Sequence, residues 1–296
     1  MDALKIVMDG LMRRYRERVP DVTKTTKIMQ DNGLIDSFES IENDHVAFRT
    51  MGVENLGIAS FEKIFLAYGY TKREYFYFEG KKLNAYWFAP PAPEFPRIFV
   101  SELRVNDLPI DIQAIIHNYT NQVTSDPVDQ LDLTDGYAVD AFLHQPLWET
   151  PTWADFQKLQ EVSEYAAWVI YNRYYLNHYT ISVHNLPAGY SDIYKFNQLL
   201  EENGIKLNTA GGKVKVSPDG GLLQSSTVAE MIPATFADGS THLIAGSYVE
   251  FAERKVLPAF AHLPADAIQR EHRREGFETG NADKIFESTF TSQTLR

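Results

Sequence analysis

Two histidines and a glutamate stand at matching places in two halves of this 296-residue sequence. Asp44-His45-Val46-Ala47-Phe48-Arg49 begins one half, Asn177-His178-Tyr179-Thr180-Ile181-Ser182 begins the other, and the second half closes on Tyr248-Val249-Glu250-Phe251. Two imidazoles and one carboxylate suggest a mononuclear metal site. This site type leaves open positions on Fe(II), so the pattern points to oxygen chemistry.

The elements that must position these residues follow the same order twice. In the first half a strand over 44–50 leads into a helix from about Leu56 to Tyr68, whose apolar face carries Ile58, Phe61, Ile64 and Phe65, with Gly69 as its stop. The segments 74–78 and 82–88 flank Glu79-Gly80 as a hairpin, and 97–104 completes the unit. In the second half a strand over 177–184 precedes a helix capped by Ser191. Strands 213–217 and 222–228 follow, then a last hairpin from Ile232 through the Asp238-Gly239 turn to Arg254. From the first-strand His to the last-strand Glu is 57 residues in one unit (45 to 102) and 72 in the other (178 to 250). The expected organisation is one α+β domain, 1–296. It comprises N-terminal helices (1–35), a first βαβββ module (36–105), a helical insertion (106–171), a second module (172–256) and a C-terminal tail closing over the cleft (257–296).

Strand alternation decides what the key residues can touch. His45, Ala47 and Arg49 share one face of their strand, opposite Val46 and Phe48. His178, Thr180 and Ser182 oppose Tyr179 and Ile181, and Glu250 opposes Val249 and Phe251. The oily faces should carry the helices. The ordinary expectation for the polar faces is contact with water. Histidines beside small neighbours (Ala47, Thr180, Ser182) suit a cleft better, and favour a curved mixed sheet or half-barrel with its polar faces inward.

Composition removes other chemistries. The chain has no cysteine, which excludes disulfides, thiolate metal sites and thiol nucleophiles, so any metal must be held by His, Asp or Glu. A net charge of -12 without a basic run argues against nucleic acid as a partner. No apolar stretch of about 20 residues exists, so a soluble, cytoplasmic protein without a membrane partner is expected.

The order strand-His, helix, strands, strand-Glu resembles the vicinal-oxygen-chelate superfamily. More narrowly, Asp44-His45-x-x-x-Arg49, Asn177-His178-x-Thr180, the Glu250 strand and Ile285-Phe286-Glu287-Ser288 resemble the 2-oxoadipate dioxygenase/decarboxylase (hydroxyglutarate synthase) family. The resemblance covers most of residues 36–290. It implies that His45, His178 and Glu250 bind Fe(II) and that Arg49 is the catalytic residue that grips a substrate carboxylate. It further implies that Gly280 and Asn281 lie where the tail closes over the substrate. The implied reaction takes a 2-oxo dicarboxylic acid such as 2-oxoadipate, with O₂, to a shortened 2-hydroxy acid such as 2-hydroxyglutarate plus CO₂. That chemistry belongs to lysine catabolism, with room for homo-oligomerisation.

Two other readings compete. Glu102 as a fourth ligand would give a glyoxalase-type isomerase or lyase using Ni²⁺ or Zn²⁺, and loss of the metal would give a small-molecule-binding protein of the same fold. Each key residue also has a plain structural role open to it: Arg49 as partner of Asp44 or Glu102, Glu250 as partner of Arg254. Tyr248 and Gln224 are expected pocket liners and His184 a neighbour. His117, His144, His242, His262 and His272 are taken as structural or exposed.

Overall fold

The apolar stripe near the N-terminus folds as α1 (Asp2–Arg18), which buries Leu4, Val7, Leu11 and Tyr15. Pro20, which lacks a backbone N–H, begins α2 (Pro20–Asp31) at a position where that donor would be unpaired anyway. The computed structural model describes residues 2–295; Met1 and Arg296, the outermost residues of the first and last predicted segments, lie outside the described residues.

The first module is β1 (Asn43–Gly52), α3 (Gly57–Ala67), β2 (Thr71–Phe78), β3 (Leu83–Ala89) and β4 (Arg97–Arg104). Gly69, at φ +84°, takes the left-handed conformation that ends α3. The insertion supplies four helices: α4 (Ile110–Thr120), α5 (Gly136–His144), α6 (Trp153–Val162) and α7 (Glu164–Asn172). The second module is β5 (His178–Ser182), α8 (Ile193–Glu202), β6 (Lys215–Val216), β7 (Leu222–Ser226), β8 (Met231–Thr235), β9 (Thr241–Ala245) and β10 (Tyr248–Arg254). The tail holds α9 (Thr279–Ile285) and α10 (Thr291–Thr294) among several 3₁₀ turns.

Eight strands form one mixed sheet in the order β2-β3-β4-β1-β5-β10-β7-β6. The two modules meet where β1 runs antiparallel to β5. On either side of that seam the closing strand lies parallel to the opening one, β4 beside β1 and β10 beside β5. Two βαβββ units related in this way make the expected α+β half-barrel.

The oily faces carry helices as predicted. Phe48 packs on Phe61 and Phe65 of α3 with ring centroids 4.7 and 5.9 Å away, and Phe251 meets Phe196 of α8 at 5.2 Å. Each such ring, fully buried, contributes roughly 1.5–3 kcal/mol. The polar faces do not meet water: every residue of β5 and β10 is buried.

Three local expectations change. The helix after β5 is capped by Asp192, not Ser191; its carboxylate accepts from the backbone N–H groups of Tyr194 and Lys195. The strand expected to reach residue 184 ends at Ser182 and turns into a 3₁₀ segment, so His184 leaves the sheet and accepts from the Arg254 N–H at 3.2 Å. The last hairpin does not run unbroken to Arg254. β8 and β9 pair only with each other, and Gly246, donating to the Glu230 carbonyl, turns the chain back so that β10 rejoins the main sheet.

Candidate metal centre

Register brings the three expected ligands together. His45, Thr180 and Glu250 are direct neighbours across β1, β5 and β10; Phe99, Ala47, His178 and Tyr248 form the next row. Because the rows are two residues apart, all these side chains project from one face. Between the two histidine strands stand only Ala47 and Thr180, and this lack of bulk lets the imidazoles approach. Nε2 of His178 lies 3.0 Å from Glu250 Oε2, and Nε2 of His45 lies 3.5 Å from Oε1. One ligand atom from each of the three residues falls within 4.8 Å of the others, and all three side chains are buried.

The residue before each histidine orients it. His45 Nδ1 is 2.8 Å from Asp44 Oδ1, and His178 Nδ1 is 3.0 Å from Asn177 Oδ1. An ionised carboxylate only accepts, so Nδ1 of His45 carries a proton and Nε2 is the nitrogen turned to the centre, where a metal would take its lone pair. Phe277 meets the His45 ring edge-on at 4.8 Å, and Tyr248 stacks on His178 at 4.8 Å. Burial alone would raise the Glu250 carboxyl, but His45 and His178 override it and hold it well below the usual carboxylate range. Burial also pushes His178 down, whereas Glu250 and Asp44 outweigh burial at His45 and raise it. A buried anion flanked by two inward-facing imidazoles is a fit donor set for a divalent cation.

Asp44 is itself clamped. Arg254 donates to it twice, at 2.6 and 2.9 Å, and Arg97 once at 3.2 Å. Arg97 continues to Glu275 in the tail, and Arg254 to the carbonyls of Arg274 and Gly276. Arg254 therefore pairs with Asp44, not with Glu250 as the plain structural reading allowed.

Arg49 differs from these two arginines. It is 1% exposed, and its guanidinium donates to Thr289 Oγ1 at 2.9 Å and to the Phe286 carbonyl at 3.0 Å. Tyr165 and Trp168 of α7 face it at 5.2 Å. Among the described residues it forms no ion pair, in contrast to Arg97 and Arg254, and its Nε has no hydrogen-bond partner. Neither Asp44 nor Glu102 is its partner, and Glu164, the nearest acidic influence, is engaged by Thr291.

Glu102 does not approach the centre. In the second module Glu250 stands two residues beyond the partner of His178; the same count from Arg97, the partner of His45, arrives at Phe99. Glu102 is three residues further and so projects from the opposite face. There it accepts from the Ile58 N–H at 2.9 Å, at the start of α3, and from Asn84 at 3.3 Å. Phe99 lines the cavity where a fourth ligand would stand, which removes the ground for the four-ligand reading.

The tail roofs the site. Phe277, Ala282, Ile285 and Phe286 close a cavity of about 20 Å³ against His45, His178, Glu250, Gln224, Tyr248 and Phe99. Arg49, Gly280 and Asn281, all expected to touch substrate, are not among its walls; Arg49 lies behind Phe286, bonded to that residue's carbonyl. Gly280 is exposed, on the outer side of α9, and the amide of Asn281 is committed to Gln224 at 3.0 Å. Sequence reasoning placed Asp44 and Asn177 in the motifs and offered Asp44 only as a partner of Arg49; neither was read as orienting its histidine, although a polar residue before each histidine is a readable signal. Phe99, Phe277, Tyr165 and Trp168 left no local signal, because an aromatic residue reads as core wherever it stands.

Residues 7–265 match the protein family described as 2-oxoadipate dioxygenase/decarboxylase. A protein of that name from Arabidopsis thaliana, specified as chloroplastic, is 49% identical over 265 residues, covering 86% of this chain and 69% of its own length. Another from Oryza sativa subsp. japonica, specified as chloroplastic/amyloplastic, is 49% identical over 307 residues, covering 99% of this chain and 80% of its own. The crystal structure of the hydroxyglutarate synthase from Oryza sativa in complex with 2-oxoadipate matches with a TM-score of 0.90 and 44% identity, over 98% of this chain and 93% of that one. The plastid designations of these relatives overturn the cytoplasmic expectation: a chain without long apolar segments is compatible with any aqueous compartment. No helix of the described residues is long and apolar enough to cross a membrane. Matched over most of its length by the family and by relatives of that name, the chain belongs to the 2-oxoadipate dioxygenase/decarboxylase family.

Proposed function

We propose that His45, His178 and Glu250 hold Fe(II), and that the protein converts a 2-oxo dicarboxylic acid of the 2-oxoadipate type and O₂ to a 2-hydroxy acid one carbon shorter plus CO₂. The observation that carries this reading is the buried, unpaired guanidinium of Arg49 on the same strand face as His45. A desolvated cation without a counter-ion costs several kcal/mol, and a substrate carboxylate would relieve that cost through a charge-assisted, directional bond. The name of the rice structure, with 2-oxoadipate bound, supports the substrate class.

Each residue then has a task. Arg49 docks the distal carboxylate, and Asp44 and Asn177 keep both imidazoles turned inward. The Tyr248 hydroxyl, fully buried beside Arg49, offers a second donor there. Phe99, Phe277 and Phe286 exclude water. Fe(II), when bound, supplies the redox centre for O₂ reduction and oxidative decarboxylation. The atoms of 2-oxoadipate plus O₂ equal those of 2-hydroxyglutarate plus CO₂, so no second reductant is required. A cavity of about 20 Å³ has room for roughly one water, so the tail must draw back to admit a six-carbon acid.

Anaerobic loading with Fe(II), then addition of 2-oxoadipate and air, should release CO₂ and 2-hydroxyglutarate in equal amounts. His45→Ala should abolish both products. Wild-type protein that takes up Fe(II) yet forms neither product would refute the reading.

A further inference from the structure

Glu250 is held from behind by a directional hydrogen-bond chain. Gln224 donates from Nε2 to Glu250 Oε1 at 2.6 Å. Its own Oε1 accepts from Asn281 Nδ2 at 3.0 Å. The same Nδ2 lies 3.3 Å from the carbonyls of Lys215 and Leu222. Glu250, Gln224 and Asn281 are 1%, 2% and 3% exposed, so water does not substitute for these partners.

The polarity of the chain follows from its far end. Backbone carbonyls only accept, so Asn281 must turn its NH₂ toward them. Gln224 must then present oxygen to Asn281 and, with its other end, NH₂ to Glu250. The carbonyls belong to β6 and β7, whereas Asn281 belongs to α9, the helix that also carries the cavity walls Ala282 and Ile285.

We infer that Gln224 and Asn281 are positioning residues of the metal site. By donating to Oε1, Gln224 draws that oxygen toward itself and favours Oε2, the oxygen 3.0 Å from His178 Nε2, as the one offered to a metal, and Asn281 fixes the direction in which Gln224 can act. One-oxygen ligation by Glu250 keeps the remaining positions open for a chelating 2-oxo acid and O₂. Docking of α9 is thereby linked to the set of the carboxylate: the segment that must move to admit substrate also holds the ligand in its binding orientation.

This inference rests on the metal-site reading, and the test separates the two. Full-length wild-type, Gln224→Met, Asn281→Asp and the double variant are titrated with Mn(II), a redox-silent stand-in for Fe(II), by calorimetry and Mn(II) EPR; melting curves check folding. Wild-type should bind one equivalent. Gln224→Met, close in shape but unable to donate, should bind about 10–100-fold more weakly. Asn281→Asp reverses the polarity at the carbonyls and should weaken binding similarly with a changed EPR line shape. Since Asn281 acts only through Gln224, the double variant should bind like Gln224→Met. Failure of wild-type to bind Mn(II) would remove the metal site itself. Wild-type binding with unchanged affinity in Gln224→Met, or additive losses in the double variant, would overturn the relay and leave these amides as packing. Should Asn281→Asp not fold, Gln224→Met decides alone.

Discussion

Arg49 and Asp44 are both buried charges on β1, yet they have opposite economies. Asp44 is fully satisfied by His45, Arg254 and Arg97. Arg49 is surrounded by rings and neutral oxygens, and burial lowers its pKa. A group so placed destabilises the free protein, and under the proposed function a substrate carboxylate would supply its counter-ion. Arg49→Met should therefore raise the unfolding free energy of the substrate-free protein by about 1–4 kcal/mol, while kcat/KM for 2-oxoadipate falls by ~10²-fold or more. Urea unfolding and steady-state kinetics on one preparation check both. A variant less stable than wild-type with an unaltered KM would mean that Arg49 is a framework residue.

Among the elements, α2 shows how a helix is docked at a cost. Asp21 stands in its first turn, where the helix dipole favours a carboxylate, but it is 6% exposed and near Glu230. Burial first, and Glu230 second, push its carboxyl up to about 6 against the opposing pull of Lys24. The folded value lies above the ordinary 3.8, so the stabilising contribution is complete below that pH and is lost as pH rises through about 6. Asp21→Asn does not titrate. The variant should gain on wild-type between these two values and hold a constant advantage of up to about 3 kcal/mol above them. Guanidinium unfolding at several pH values checks this; a stability difference that does not change with pH would refute it. The two modules teach a related lesson. Both have the strand order that sets a side chain two residues beyond the partner of the histidine; in the second it is Glu250, whereas in the first Phe99 fills that place.

Across the whole molecule Asp44 is the hub that joins β1, β4, β10 and the tail. Its bonds to Arg97 and Arg254 pass directly to Glu275, Arg274 and Gly276, the stretch that leads into the roof of the cavity. Burial would raise the Asp44 carboxyl, but Arg254 and Arg97 hold it well below the ordinary 3.8. Its contribution is therefore complete above that pH and is lost only as pH falls through the depressed value. Asp44→Asn leaves two buried guanidiniums short of charge and should cost about 3–5 kcal/mol at neutral pH. The deficit should narrow as the pH is taken below 3.8. Denaturant titrations at pH 7 and in acid measure it; a deficit under about 1 kcal/mol at pH 7 would show that the hub is replaceable.

The sequence by itself determined the candidate ligand set and the scaffold's repeat. His45, His178 and Glu250 were legible because strand alternation is local: two-residue periodicity sets them on polar faces, and the small neighbours Ala47 and Thr180 suit a cleft better than a wet exterior. The order of strands and helices was legible for the same reason. Only the tertiary structure decided what lies across the sheet and above it. Whether Glu102 or Phe99 stands beside the centre depends on register between β1 and β4, a fact of pairing between strands about fifty residues apart. The lack of an acidic partner for Arg49 among the described residues, the commitment of Asn281 to Gln224 and the departure of β8 and β9 from the main sheet are likewise products of packing. A side chain's type fixes which bonds it can make; which partner it meets, and whether water can compete, is fixed by how distant segments close around it.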